Sequence, residues 1–225
     1  MTRRGDRWLL ALVAALAVAG AVLIVTQPRA ARRTADFTIG YSAALLVRQG
    51  QLTGPYDQVA LGAMMSRTAG PLIDPRLPFN QPLAADLPFV ALSFLPFDLA
   101  FRIWQLCSLG VLLLTVLVLQ RAFPLNKGAA ALGLLALLAS FPAWAALTEG
   151  QVTPLLALGA ALVVWALTSD APLLAAAGGA LLAFKPHYLP AYLIILFAAR
   201  RWRLLGAALG GAMVLLLSPL AAGGV

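Results

Sequence analysis

Acidic residues are scarce in this chain: eight in 225 residues, against sixteen Lys and Arg. Cysteine and histidine occur once each, as Cys107 and His187. A single cysteine excludes an internal disulfide, and one Cys with one His excludes most zinc sites built from protein ligands. Cys107 lies inside an apolar run and reads as a buried, inert thiol. Only 11% of residues are charged, where a soluble domain carries about 25%. The net charge of +8 therefore has no soluble basic face to sit on, which argues against a nucleic-acid partner. No nucleophile elbow, P-loop, dinucleotide fingerprint or metal-ligand spacing occurs.

What is abundant is apolar surface. Hydrophobic residues make up 62% of the chain and mean hydropathy is +0.91. The fold class this implies is all-α: a polytopic transmembrane helical bundle forming one membrane domain over 1–225, in contact with membrane lipids. About 20 apolar residues cross a bilayer, and 8–26 qualifies as an uncleaved first transmembrane helix behind an Arg-rich start. Residues 27–82 are mixed in polarity and read as an extracytoplasmic loop. Within it Phe37, Tyr41, Ala44 and Leu45 recur at helical spacing opposite Thr38, Ser42 and Gln49. That pattern predicts an amphipathic helix at 36–49 lying at the interface. A second short helix is predicted over 57–67, and Pro71, Pro75, Pro78 and Pro82 then break regular structure.

The remaining membrane helices occupy 83–221, as apolar runs at 83–96, 99–119, 128–147, 152–168, 172–184, 188–199 and 204–221. The chain ends at "PLAAGGV" with no polar tail, and we read it as a fragment of a longer protein. If every run crossed, Arg200, Arg201 and Arg203 would fall outside, against the positive-inside tendency. If 83–96, with Pro88 and Pro96, dips in without crossing, Arg121, Lys127 and the Arg200 cluster become cytoplasmic, as does the N-terminus. The same topology gathers 27–82, Glu149–Gln151 and Lys185–His187 on the outer side.

Ionisable groups near membrane depth are costly and tend to line functional cavities. Asp36 is either the N-cap of the predicted helix or a general base that takes a hydroxyl proton. Arg29, Arg32 and Arg33 end the first span, either against lipid headgroups or holding a lipid-linked phosphate. Asp57, in "GPYDQ", has the position of a turn or cap residue. In "TEGQVTP" Gln151 stands at a helix start, either in a solvated loop or within reach of a sugar hydroxyl. In "FKPHYLP" two prolines break the helix beside Lys185 and His187. Such a backbone lines a cavity or is buried in protein, although Lys185 could also snorkel to the interface.

Four blocks in order resemble one family. "DFTIGYSAALLVRQGQLTGPYD" is similar to the first outer loop of the polyprenol-phosphate-mannose-dependent mannosyltransferases, glycosyltransferase family 87 of the GT-C superfamily. "FNQPLAADLPFVALSFLPFDLAFRIWQL", "EGQVTPLLALGAALVVWAL" and "LLAFKPHYLPAYLIILFAARRWR" resemble its later segments. The resemblance implies an enzyme of a bacterial-type plasma membrane that takes a sugar, typically mannose, from a polyprenyl-phosphate donor. It passes the sugar, with inversion, to a lipid-linked or cell-envelope glycan acceptor. Asp36 falls on the family's loop acid and would be the general base. Arg33, Tyr41, Tyr56, Asp57, Gln151, Lys185 and His187 would contact substrate, with Lys185, or else His187 or the Arg29–Arg33 cluster, neutralising the departing phosphate. No cofactor or metal is implied, though a divalent cation is compatible. The chain departs from the family in reading "FNQP" and "GQVT" at two of these blocks. A transporter or flippase-like protein that moves a lipid phosphate and an inactive GT-C-like protein are the competing readings.

Overall fold

A computed structural model describes residues 11, 14–15, 18–22, 24–33, 36–70, 73–123 and 127–222. All regular structure among them is helical. The described residues within 11–26 are helical up to Thr26. Residues 8–10, 12–13, 16–17 and 23 of the predicted first span, and the Arg3, Arg4 and Arg7 cluster, lie outside the described residues. Downstream follow α1 (Arg29–Arg33), α2 (Phe37–Arg48), α3 (Gln58–Ala69), α4 (Leu87–Leu92) and α5 (Phe97–Ala122). Then come α6 (Lys127–Ala139), α7 (Phe141–Glu149), α8 (Thr153–Ser169), α9 (Pro172–Leu182), α10 (Leu189–Ala198) and α11 (Trp202–Ala222). Single 3₁₀ turns occupy Gly54–Tyr56, Leu83–Asp86 and Pro186–Tyr188.

Two helices, Phe97–Ala122 and Trp202–Pro219, are long and apolar enough to cross a membrane. At 1.5 Å per residue the 26 residues of α5 extend about 39 Å, more than the ~30 Å of hydrocarbon. The run 83–96 forms only a four-residue 3₁₀ turn and the six-residue α4, too short to cross. The apolar run 128–147 is not one helix, because Ser140 interrupts it. Its backbone is extended, and its hydroxyl accepts from the Ala143 N–H at 3.3 Å to start α7, with Pro142 in the first turn.

Backbone-to-backbone contact joins α8, α9 and α11. A Cβ added at Gly211 would lie 1.9 Å from the Ala176 carbonyl oxygen, and one at Gly179 would lie 2.1 Å from that of Ala208. Helices in lipid gain their attraction from such close approach, because the surrounding chains are as apolar as leucine. Leucine-rich faces point outward instead: Leu106, Leu113, Leu114 and Leu117 of α5 are exposed. Cys107 lies on that face and is exposed rather than buried; an apolar thiol facing lipid needs no protein around it.

The predicted helix at 36–49 exists as α2, but it does not lie on the surface with its polar side free. Phe37, Tyr41, Ala43, Ala44 and Leu46 are buried, and so are Thr38 and Ser42. The Thr38 hydroxyl donates to the Arg33 carbonyl at 2.8 Å, and the Ser42 hydroxyl donates to that of Thr68 at 3.3 Å. Two hydroxyls with partners can be enclosed at little cost, which is why the polar stripe does not mark the outside. On one side α2 packs Phe37 and Tyr41 with Phe89, Phe101, Trp104 and Phe184. On the other, Ala43 and Leu46 meet Leu61, Met65, Ile73 and Phe79 from α3 and the proline-rich loop.

Candidate active site

The site is built around a turn. Gly150 ends α7 with φ of 64°, a conformation that glycine adopts without strain. The same residue is pressed against α2: a Cβ there would meet Phe37 Cβ at 2.7 Å and Phe101 Cε2 at 3.0 Å. Three side chains hold the carbonyls of this turn. Trp104 Nε1 donates to Gly150 O at 2.8 Å, Gln105 Nε2 to Leu147 O at 3.1 Å, and Gln27 Nε2 to Thr148 O at 2.9 Å. Arg102 closes the end of the first helix, its guanidinium donating to Ile24 O at 2.7 Å and Val25 O at 3.1 Å. The turn is thereby fixed to the first helix, α2 and α5 at once.

Held in this way, Gln151 faces Asp36 across 115 residues of sequence, its Nε2 donating to Asp36 Oδ2 at 2.7 Å. The Thr153 hydroxyl donates to Gln151 Oε1 at 3.1 Å, so the amide nitrogen is the end turned toward the carboxylate. Asp36 is not a side-chain cap. Its backbone is already helical (φ −54°, ψ −29°) and its carboxylate makes no bond to the free N–H groups of α2. Of the two roles open to it from sequence, the structure leaves the carboxylate directed at a cavity.

That cavity measures 210 Å³. Asp36, Gln151 and Lys185 line it together with Asn80, Gln81 and Phe89. It therefore holds one carboxylate, one ammonium and three side-chain amides, a donor and acceptor set suited to a polyhydroxylated ring with a nearby anion. Glu149 lies just beyond the apolar part of α7. Burial first, and then the charge of Asp36, push its carboxyl above the usual range, while a hydrogen bond from the Asp36 backbone pulls the other way. Among the described residues no three His, Cys, Asp or Glu side chains stand close enough to hold a metal ion.

The other predicted contact residues lie outside the lining of this cavity. Asp57 caps α3, accepting from the Val59 and Ala60 N–H groups at 2.9 and 3.2 Å. Tyr41 is buried and its hydroxyl donates to Leu95 O at 2.6 Å. Tyr56 donates to Gln81 O at 2.9 Å and packs on Phe79, supporting the wall from behind. His187 is exposed and lies against Tyr188, with ring centroids 4.5 Å apart and the planes tilted by 40°. Arg33 is partly buried in α1. Its neighbours Arg29 and Arg32 pair with Asp98 at 3.9 and 3.2 Å, which occupies part of the cationic cluster. Sequence reasoning did not single out Asn80 and Gln81 as contact residues; they entered it only within the "FNQP" that departs from the family pattern. Two consecutive amides between prolines were the available signal.

Because Asp57 is a cap, Asp57→Ala should lower stability by about 1 kcal/mol and leave sugar transfer per folded molecule unchanged. Thermal melting alongside initial rates checks this; a rate loss exceeding the loss of folded protein would return Asp57 to the site.

The model of glycosyltransferase family 87 matches residues 79–225. The match includes the cavity residues Asn80, Gln81, Gln151 and Lys185, while the loop carrying Asp36 precedes it. No curated protein and no solved structure matches. With well over half of its residues matched, the chain belongs to glycosyltransferase family 87.

Proposed function

We propose that this glycosyltransferase takes a sugar, typically mannose, from a polyprenyl-phosphate donor and passes it, with inversion, to a hydroxyl of a lipid-linked or cell-envelope acceptor. The observation that carries the reading is the Asp36–Gln151 contact in a cavity shared with Lys185. In this mechanism the Gln151 amide orients the Asp36 carboxylate, which accepts the proton of the attacking hydroxyl as the new C–O bond forms. The bond from the anomeric carbon to the phosphate oxygen breaks on the opposite face. Lys185, which lines the same cavity, neutralises the charge gathering on that oxygen in this reading. The amides of Asn80 and Gln81 meet the sugar hydroxyls.

A lipid-linked donor is favoured by a second cavity on the other side of the 147–151 turn. It measures 420 Å³ and is lined by Gly20, Ile24, Leu106, Leu109 and Leu147. Its walls suit an isoprenoid or acyl chain, while Gly150 and Gln151 face the polar cavity. A donor anchored in this way needs no nucleotide-binding fold, and the reading invokes no cofactor. It places the chain as a multi-pass protein of a bacterial-type plasma membrane, with its N-terminus cytoplasmic and the cavity open to the outer side.

The test supplies membranes containing the protein with polyprenyl-phosphate mannose or with a nucleotide-linked mannose. Transfer from the lipid donor alone is the expected result. Transfer from the nucleotide sugar in the absence of the lipid would overturn the donor assignment.

A further inference from the structure

Asp86 is the least explained charged residue in the described structure. It is 1% exposed, and neither carboxyl oxygen has a hydrogen-bond partner. It precedes α4, yet its backbone is helical and its side chain makes no capping bond. It belongs to the 3₁₀ turn Leu83–Asp86, whose Ala84 and Ala85 are also buried. An ionised carboxylate so enclosed would forfeit its hydration with nothing in return. A neutral carboxyl forfeits far less.

Its place in the chain ties it to the cavity. Leu77, Phe79, Asn80 and Gln81 on one side of it, and Phe89 one helical turn beyond, all line that cavity. The wall is held at its outer end by Tyr56 on Gln81 and by Gln58 Nε2, which donates to Pro75 O at 3.0 Å. Its inner end is the buried turn that contains Asp86. Three helices pack against that turn: α2, α4 and α11. The α4 helix carries no titratable group. On α2, the Tyr41 hydroxyl is bonded to Leu95 O, and Arg48 donates to the Ser93 carbonyl and lies over Phe94. The α11 helix meets the turn near Leu215 and Ser218, which share a groove with Leu87. Its Arg203 lies about 18 Å away along the helix axis. Tyr56 is the titratable group that feels the charge of Asp86, and it is neutral at physiological pH. Among the described residues no cation offsets an ionised Asp86.

We propose that Asp86 is a positioning residue that holds a proton while the 77–89 wall is closed, so that release of this proton to solvent lets the wall leave the cavity. Burial pushes its carboxyl up to about 8 in the closed form, against the ordinary 3.8 when the wall is open to water. Between those values the open form has lost a proton that the closed form keeps. Opening therefore releases one proton and is favoured as pH rises, by about tenfold per unit. It levels off above about pH 8. The importance of closure for catalysis rests on the cavity being the transferase site; the proton-held closure itself does not.

Backbone hydrogen exchange of residues 77–89 in the full chain, in detergent or nanodiscs from pH 5 to 9, tests this after correction for the intrinsic pH dependence. The expected result is a corrected opening constant that rises about tenfold per pH unit up to pH 8, with α5 and α8 amides flat. In Asp86→Asn the rise should vanish. A flat wild-type profile overturns the proposal, and so does an unchanged slope in Asp86→Asn. Should that variant fail to fold, the wild-type slope of the wall relative to α5 and α8 decides alone. Because exchange needs no substrate, a failed transfer assay and a failed proton clamp are told apart.

Discussion

Asp36→Asn should lower kcat for sugar transfer by about 10²–10⁴-fold and leave the KM for the lipid donor within about twofold, since the interaction removed belongs to the transition state. The variant isolates chemistry from folding because the Asp36 side chain does not cap α2. An asparagine fits the same space and can still meet Gln151, whose own orientation is set by the Thr153 hydroxyl. What is lost is the capacity to accept a proton. Initial rates with polyprenyl-phosphate mannose in membranes, normalised to folded protein, give the number. A variant that keeps wild-type kcat would end the general-base assignment. Gln151→Ala provides the graded comparison: the carboxylate remains but is no longer held, so its loss should be smaller than that of Asp36→Asn.

Lys185→Met should lower kcat by about 10²–10³-fold, with Lys185→Arg recovering part of it. Lys185 is set by its backbone. Its N–H donates to Leu182 O at 3.2 Å, its carbonyl accepts from the Tyr188 N–H at 3.0 Å, and Pro186 follows directly. These bonds survive a change of side chain, so methionine removes charge while keeping length and fold. The mechanism asks Lys185 to meet negative charge as it builds on the departing phosphate. Its loss should therefore grow with the basicity of the leaving group. Donors with leaving groups of graded pKa measure that dependence, and a loss that is uniform across them would make Lys185 a binding residue instead. Unchanged rates in Lys185→Met would reduce it to a lysine reaching for the membrane surface.

Helix content and the order of apolar runs could be read from composition and spacing, because burial in a bilayer imposes length and hydropathy on each segment. The limits of that reading lie where local chemistry has two outcomes. Ser140 stands in an unbroken apolar run, and nothing in hydropathy distinguishes a serine inside a helix from one that starts the next. Thr38 and Ser42 look like a wetted face, yet each finds a partner and is enclosed. Cys107 looks like core and faces outward, since lipid and protein interior are equally apolar. Asp86 was one of several acids in sequence; its burial without a partner exists only once α2, α4 and α11 close around it.

Asp36 and Asp57 show the same division most sharply. Both are acids next to short helices in one loop, and local rules offer each of them a cap. By itself the sequence determined the class of the protein: a helical chain too apolar for water, with four blocks resembling family 87. Only the tertiary structure decided which acid is a cap and which one faces a cavity with Gln151 and Lys185. The reason is one of range. A capping bond is made within three residues of the chain and leaves a mark in the local sequence. The Asp36–Gln151 contact spans 115 residues and depends on a left-handed Gly150 fitting against Phe37, with Trp104, Gln105 and Gln27 holding the turn.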